Sequence, residues 1–378
     1  MGKWEMVRLG DAASFNMGQS PSSDSYNSTG KGLPFFQGKT DFGLMYPTVR
    51  MYCTEPKKIA DKYDILISVR APVGTVNIAT ESCCIGRGLA AITQKESISD
   101  FKYLYYYLQY KENDIARMGV GSTFKAISKK DLDAIEIPLP PLPTQQKIAD
   151  ILDRAGALIE KSKAQIEKLD LLVKSQFIEM FGDPVTNPMG WEVRLFSDIA
   201  IVDTKMTTDF DKYADMPHIG IDSIEKDTGE LINYRFVKDS GLISGKYIFD
   251  DRHIIYSKIR PNLNKVALPS FIGLCSADAY PVLPNAENCN RIFLAMIMRS
   301  DVFLHQILAQ SSRTNIPKVN KQQLLSVKMP IPPLALQTQF AAFVERVEAQ
   351  KAKMKQGLEL MELEYKSLMQ ECFKGELF

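Results

Sequence analysis

The sequence predicts an α+β fold: two mixed α/β globules in tandem, separated by a pair of long antiparallel coiled-coil helices and related by a pseudo-two-fold internal repeat. Three observations carry this expectation. IPLPPLPTQQKIADIL, beginning at Ile137, returns as MPIPPLALQTQFAAFV, beginning at Met329, about half the chain later. Each copy is followed by a stretch whose apolar residues alternate four and three apart. Ahead of each copy lies a segment of about 150 residues, long enough to bury a core of its own.

The globules repeat as well as the tails. Trp4-Glu5-Met6-Val7-Arg8-Leu9 returns as Trp191-Glu192-Val193-Arg194-Leu195, and the stretch from Asp64 to Pro72 is echoed by that from Ile254 to Pro261. Leu132 falls on Leu324, Gln145 on Gln337, and Lys174-Ser175 on Lys366-Ser367. Several matches in one order are not chance. The expected segments are a first globule at 1–142, a central helix at 143–182, a second globule at 183–334 and a C-terminal helix at 335–378.

Each tail reads as a helix with one oily seam. From Thr144 to Phe181 there is no proline, and Gly156 is the one glycine. The seam of the first copy is Ile148, Leu152, Ile159, Ile166, Leu169 and Val173; that of the second is Val344, Val347, Met354, Leu358, Met361 and Tyr365. Ser162, Gln176 and Lys351 fall on seam positions too. Thr144 is expected to cap the first helix after the run of prolines, and Gly182 and Gly375 sit where a helix stops. The first helix leads into the second globule and the second helix starts from it, so two helices packed along one seam must run antiparallel. At 1.5 Å per residue each spans ~55 Å.

Bulk composition narrows the class. Among 378 residues, 46 Lys+Arg nearly balance 45 Asp+Glu, so no global field marks a polyanion partner, although a local basic face suffices for one. The six cysteines (Cys53, Cys83, Cys84, Cys275, Cys289 and Cys372) lack metal-site spacing and read as buried reduced thiols. No stretch approaches ~18 apolar residues, so no membrane is expected and the expected location is the cytoplasm.

With these features on the page, the chain resembles the DNA-specificity (S) subunits of type I restriction–modification systems. The likeness rests on two globules of about 150 residues, each ending in an IPLPPL-type phrase with a following Gln and a long helix. The link Phe181-Gly182-Asp183-Pro184…Asn187-Pro188-Met189-Gly190-Trp191 and the terminus Phe373-Lys374-Gly375-Glu376-Leu377 belong to it. The resemblance implies that the globules are target-recognition domains, each reading one half of a gapped site in double-stranded DNA. The helices would then act as a ruler of roughly one to one and a half duplex turns, at ~3.4 Å per base pair. It also implies two copies of a methylation subunit as partners, with motor-nuclease subunits added for cleavage.

Catalysis in the chain itself is not expected. No phosphate-binding G-x-x-x-x-G-K-[ST] loop occurs, and Asn187-Pro188-Met189-Gly190 lacks the second proline and the aromatic of a base-methylation motif. His218, His253 and His305 stand in no metal-ligand spacing, so neither metal nor cofactor is expected. Two kinds of basic window are instead the candidate DNA contacts, because Lys and Arg neutralise phosphates while Asn, Gln and Arg form bidentate bonds to base edges. One kind carries Ser122, Thr123 and Lys125, with Arg313, Thr314, Asn315 and Lys318 as its counterpart. The other carries Arg70, with Lys258, Arg260, Asn262, Asn264 and Lys265 as its counterpart. Gln37, Lys39 and Arg87 complete the set. Two other readings stand at this point: a coiled-coil scaffold joining two protein-binding globules, and a self-sufficient DNA methyltransferase.

Overall fold

In the computed structural model, residues 4–119, 126–311 and 317–378 are described. The chain divides into two compact units, Met1–Ala164 with Gln356–Phe378, and Gln165–Lys355. Each unit takes in a stretch of both long helices, and each is built on the same plan.

In the first unit, a four-stranded antiparallel sheet orders Ala13–Met17, Leu89–Gln94, Ile65–Ser68 and Val76–Ile78. A mixed five-stranded sheet lies beside it in sequence, with Phe35 and Phe36 pairing in parallel with Cys84 and Ile85. The strand Ile65–Ser68 is buried at every residue, which explains its unbroken apolar run in place of an alternating one. The helix Phe101–Tyr110 packs on this core, its start capped by the Asp100 side chain, which accepts from the N–H groups of Lys102 and Tyr103. Tyr103, Tyr105, Tyr106 and Tyr107 are core residues with a polar tip. Tyr103 donates to the Pro138 carbonyl at 2.6 Å, and Tyr107 to the Glu136 carbonyl at 2.9 Å.

The second unit repeats each part. Its four-stranded sheet orders Ala200–Val202, Ala279–Pro284, Ile254–Ser257 and Val266–Ala267. Its five-stranded sheet pairs His218 and Ile219 in parallel with Leu274 and Cys275. Its core helix, Arg291–Met298, is capped by Asn290 as the earlier one is by Asp100. The chain segment before each long helix pairs back on the start of its own globule: Glu136–Pro138 on Met6–Arg8, and Lys328–Ile331 on Glu192–Leu195.

The long helices are Leu142–Phe181 and Leu334–Lys374. The first begins two residues before Thr144, and the N–H groups of Thr144 and Gln145 donate to the Pro141 carbonyl at 2.8 and 3.1 Å. The reason is Pro143: in the first helical turn its missing N–H would have had no partner anyway. Within each unit the two helices run antiparallel and close its core. In the first, Ile148 and Leu152 pack with Met369, Cys372 and Phe373, and Tyr365 lies against them. In the second, Val173, Val344 and Val347 share a core and Leu169 packs against it. Ile159 and Ile166 are also buried, while Met354, Leu358 and Met361 are half-buried. Lys351 on the seam is answered by Asp170 of the facing helix, and Lys163 by Glu362 at 3.0 Å. The first helix ends where Gly182 takes φ +75°, its N–H donating to the Ile178 carbonyl, and Gly375 takes φ +74° after the second.

The repeated phrase is explained by its glutamine. Gln145 is fully buried, accepts from the Asp100 N–H at 2.9 Å, and donates to the carbonyls of Ile98 at 2.9 Å and Pro140 at 2.8 Å. Gln337, equally buried, accepts from the Asn290 N–H at 2.8 Å and donates to Asn288 at 3.1 Å and Pro332 at 2.8 Å. One carboxamide thus ties together the start of a long helix, the proline segment before it and the cap of a core helix.

Gln145→Ala or Gln337→Ala orphans a buried N–H and two carbonyls, and each is expected to lower stability by roughly 1–3 kcal/mol. Denaturant unfolding measures this; Gln145→Glu, which offers no donors to the two carbonyls, should do no better, and an unmoved midpoint would refute the clamp. A second expectation concerns the thiols. Burial pushes Cys83, Cys84 and Cys289 up to about 12 and Cys372 up to about 11, so thiolate is scarce at pH 8. A disulfide reagent at that pH should leave the native chain unlabelled and titrate six thiols once it is unfolded.

Candidate nucleic-acid interface

The two kinds of basic window come together in each unit through the same backbone joint. In the first unit the Ile127 N–H donates to the Val69 carbonyl at 3.0 Å, and Arg70 forms an antiparallel bridge with Ala126. In the second, the Val319 N–H donates to the Lys258 carbonyl at 2.8 Å, and Ile259 bridges Lys318. Stretches more than fifty residues apart in sequence thereby lie side by side.

Around the first joint, the Val69 N–H donates to the Gly88 carbonyl at 2.9 Å. Gly88 in turn is pressed against Gln37: a Cβ there would meet the Gln37 carbonyl oxygen at 2.3 Å, so only glycine allows the approach. The loop after Arg70 is braced by Ser68, whose hydroxyl donates to the Pro72 carbonyl at 2.8 Å and accepts from the Thr75 N–H at 3.1 Å. Gln37, Lys39, Arg70 and Arg87 are all exposed. Lys39 lies 3.8 Å from Glu112, which also accepts from the Thr75 hydroxyl.

Around the second joint, Lys258, half-buried, donates its N–H to the Asp278 carbonyl at 3.0 Å, the place held by Gly88 in the first unit. Its ammonium lies 4.9 Å from the centre of the Tyr280 ring. Burial, and then the neighbouring Lys318 ammonium, hold Lys258 below the ordinary lysine value, against the opposite pull of Asp278 and Cys275. The following 3-10 turn, Pro261–Leu263, is bracketed by Arg260 and Asn264, both left-handed at φ 49°. Non-glycine residues hold that conformation where surrounding contacts fix it. Those contacts are present. Arg260 donates its N–H to the Pro317 carbonyl at 2.8 Å, the Asn264 carboxamide donates to the Arg299 carbonyl at 3.0 Å, and the Lys265 ammonium donates to the Ile221 carbonyl at 2.8 Å. Asn264 and Lys265 therefore brace the loop, while Arg260, Asn262 and Lys318 are exposed. The candidates Ser122, Thr123, Lys125, Arg313, Thr314 and Asn315 lie outside the described residues.

Sequence reasoning missed Asp278 and Tyr280, which flank Lys258, and Asp170, which answers Lys351. Nothing in spacing marks them; each depends on strand or helix pairing. The histidines stay apart in role: His305 is exposed on a helix, and buried His253 has its Nδ1 2.8 Å from an Asp250 oxygen. Among the described residues no group of His, Cys, Asp and Glu could hold a metal ion, and no single helix is long and apolar enough to cross a membrane. The exposed groups at the joints are guanidinium, ammonium and carboxamide, which suit polar recognition of phosphates and base edges.

Known proteins share this plan. A type I restriction enzyme MjaX specificity subunit of Methanocaldococcus jannaschii is 53% identical over 171 residues, 44% of this chain and 40% of the relative, so the chain spans less than half the length of that protein in the match. The EcoDI specificity subunit of Escherichia coli is 28% identical over 314 residues, 73% of this chain and 70% of that one. The fold resembles the crystal structure of a type I restriction–modification S subunit from M. genitalium, with a TM-score of 0.63 at 15% identity, over 98% of this chain and 96% of the other. Residues 1–169 and 188–363 each match the type I restriction modification DNA specificity domain, and the chain belongs to that family.

Proposed function

We propose that the chain is a non-catalytic DNA-recognition subunit, each unit reading one half of a split site in double-stranded DNA. The observation that carries this reading is the joint: two basic loops, distant in sequence, are bonded at the same backbone positions in both units. In the second unit, Arg260 at the start of a braced turn and Asn262 within it stand exposed, and their side chains are those that bond guanine and adenine edges bidentately. In the first unit Arg70, Gln37 and Arg87 occupy the matching region, with Lys39 beside them.

The partners in this reading are two methylation subunits, which carry the chemistry. Support comes from the helix surfaces. Leu171 and its repeat counterpart Leu363 are 60% and 66% exposed, one in each unit. In the first unit, Ala155, Leu158, Ile159, Met361, Tyr365 and Leu368 line a groove of about 430 Å³. Leucines exposed at equivalent places of the repeat suit two copies of one helical partner.

Mapping methylated bases in cells with and without the gene tests the function directly. A gapped two-part motif should appear with the gene; a continuous motif, or none, would overturn the proposal. The double substitution Arg260→Ala, Asn262→Ala should relax discrimination in one half-site by roughly 1–3 kcal/mol per lost bidentate contact and leave the other half intact. Competition binding against single-base variants of the site measures both halves at once.

A further inference from the structure

The joint in the second unit carries a lysine on either side of its backbone bond. Val319, next to Lys318, donates to the carbonyl of Lys258, so the spacing of the two side chains is set by strand pairing and not by flexible loop closure. The matching positions in the first unit hold Val69, buried in its core, and Ala126. One backbone frame therefore supports a pair of cations in one unit and a pair of uncharged side chains in the other.

We propose that Lys258 and Lys318 form a clamp for one backbone phosphate of the DNA, for which the matching Val69 and Ala126 of the first unit offer no cation. This rests on the reading of the chain as a DNA-recognition subunit. Three features support it. The backbone of Lys258 is fixed by its N–H bond to the Asp278 carbonyl, and its half-buried side chain rests with the ammonium 4.9 Å from the centre of the Tyr280 ring, which limits the side-chain freedom left to lose on binding. The two ammonium groups repel each other across a partly desolvated space, and burial with Lys318 already holds Lys258 below the ordinary lysine value. An oxyanion placed between them reverses that repulsion, as a phosphate does and a neutral base edge does not. Lysine is also the point-charge binder of phosphate, whereas the planar donors suited to base edges, Arg260 and Asn262, stand on the adjoining turn. The division of labour is thus positional: the joint grips the backbone and the turn reads the bases.

The test uses the complex of the full chain with its methylation subunits and a cognate duplex, titrated between 50 and 200 mM salt. Lys258→Met and Lys318→Met should each flatten the slope of log affinity against log salt by about 0.9, so that each complex loses about 3.5-fold less affinity over that range than the wild type does. The ratio of affinities for cognate and single-base-variant sites should stay as it was, whereas Arg260→Ala lowers that ratio. Unchanged slopes in both lysine variants would overturn the clamp, and so would a loss of discrimination like that of Arg260→Ala. Thermal unfolding identifies a misfolded variant, and exposed Lys318 keeps the test valid if the Lys258 variant is one. A wild-type complex that does not discriminate between sites removes the DNA reading itself; one that discriminates while its lysine variants keep the wild-type slope removes only the clamp.

Discussion

A carboxamide sealed from water must satisfy all its partners or cost the fold dearly, and Gln145 and Gln337 each do so with three bonds to three different segments. Each glutamine lies in the first turn of a long helix, where backbone N–H groups are otherwise looking for partners. Its oxygen reaches the cap residue of a core helix, and its nitrogen reaches the segment just before that cap. The prolines ahead of it have fixed φ, which narrows the directions in which the carbonyl of Pro140 or Pro332 can face the carboxamide that donates to it. A long helix joined through such a knot cannot swivel on its globule without breaking several buried bonds together. Every position farther along the helix inherits its direction from that joint.

The seam extends the same constraint. In the first unit, rings from both the globule and the end of the second long helix interlock: Phe373 meets Tyr103, Tyr107 and Tyr110. In the second, Phe177 and Phe181 close on Phe293 and Phe340. The first unit's core is therefore incomplete until the last residues of the chain arrive, a non-local closure that makes folding depend on the whole sequence. Polar residues on the seam are bounded in cost. Lys351 is mostly shielded, yet Asp170 faces it from a half-exposed site, so the charge is paired without both ions being desolvated.

What the sequence disclosed was what repeats. The seam and its stop signals are periodic or positional, so Ile148, Leu152, Val344 and Gly182 could be placed before any coordinates existed. The chemistry of the clamp could not, because a glutamine after a proline run is by default a surface residue and only the tertiary fold buries it. The candidate interface was legible as two windows but not as one joint, since bringing Val69 to Ile127 is a matter of strand order. Nor does composition tell a presenting side chain from a bracing one: Arg260 and Asn264 share a left-handed backbone, yet one faces solvent and the other bonds the Arg299 carbonyl. Helix onset at Leu142 was displaced from Thr144 for a similarly local reason, the tolerance of a first turn for proline.

The joint also shows how one frame can carry two different sets of side chains. Its bonds run from N–H to carbonyl and make no demand on the side chains that flank them. At the position of Val69, whose side chain fills the core, the other unit has half-buried Lys258, whose ammonium lies by the Tyr280 ring. Gly88 permits the close approach of Gln37; Asp278 at the matching place instead sets a carboxylate near the lysines. These exchanges alter charge, reach and hydrogen-bonding capacity without touching the strand register that holds the loops together. The chemistry presented at the joint and on the turn beside it can therefore change by substitution, while the glutamine clamp and the seam, which depend on buried geometry, leave far less room for change.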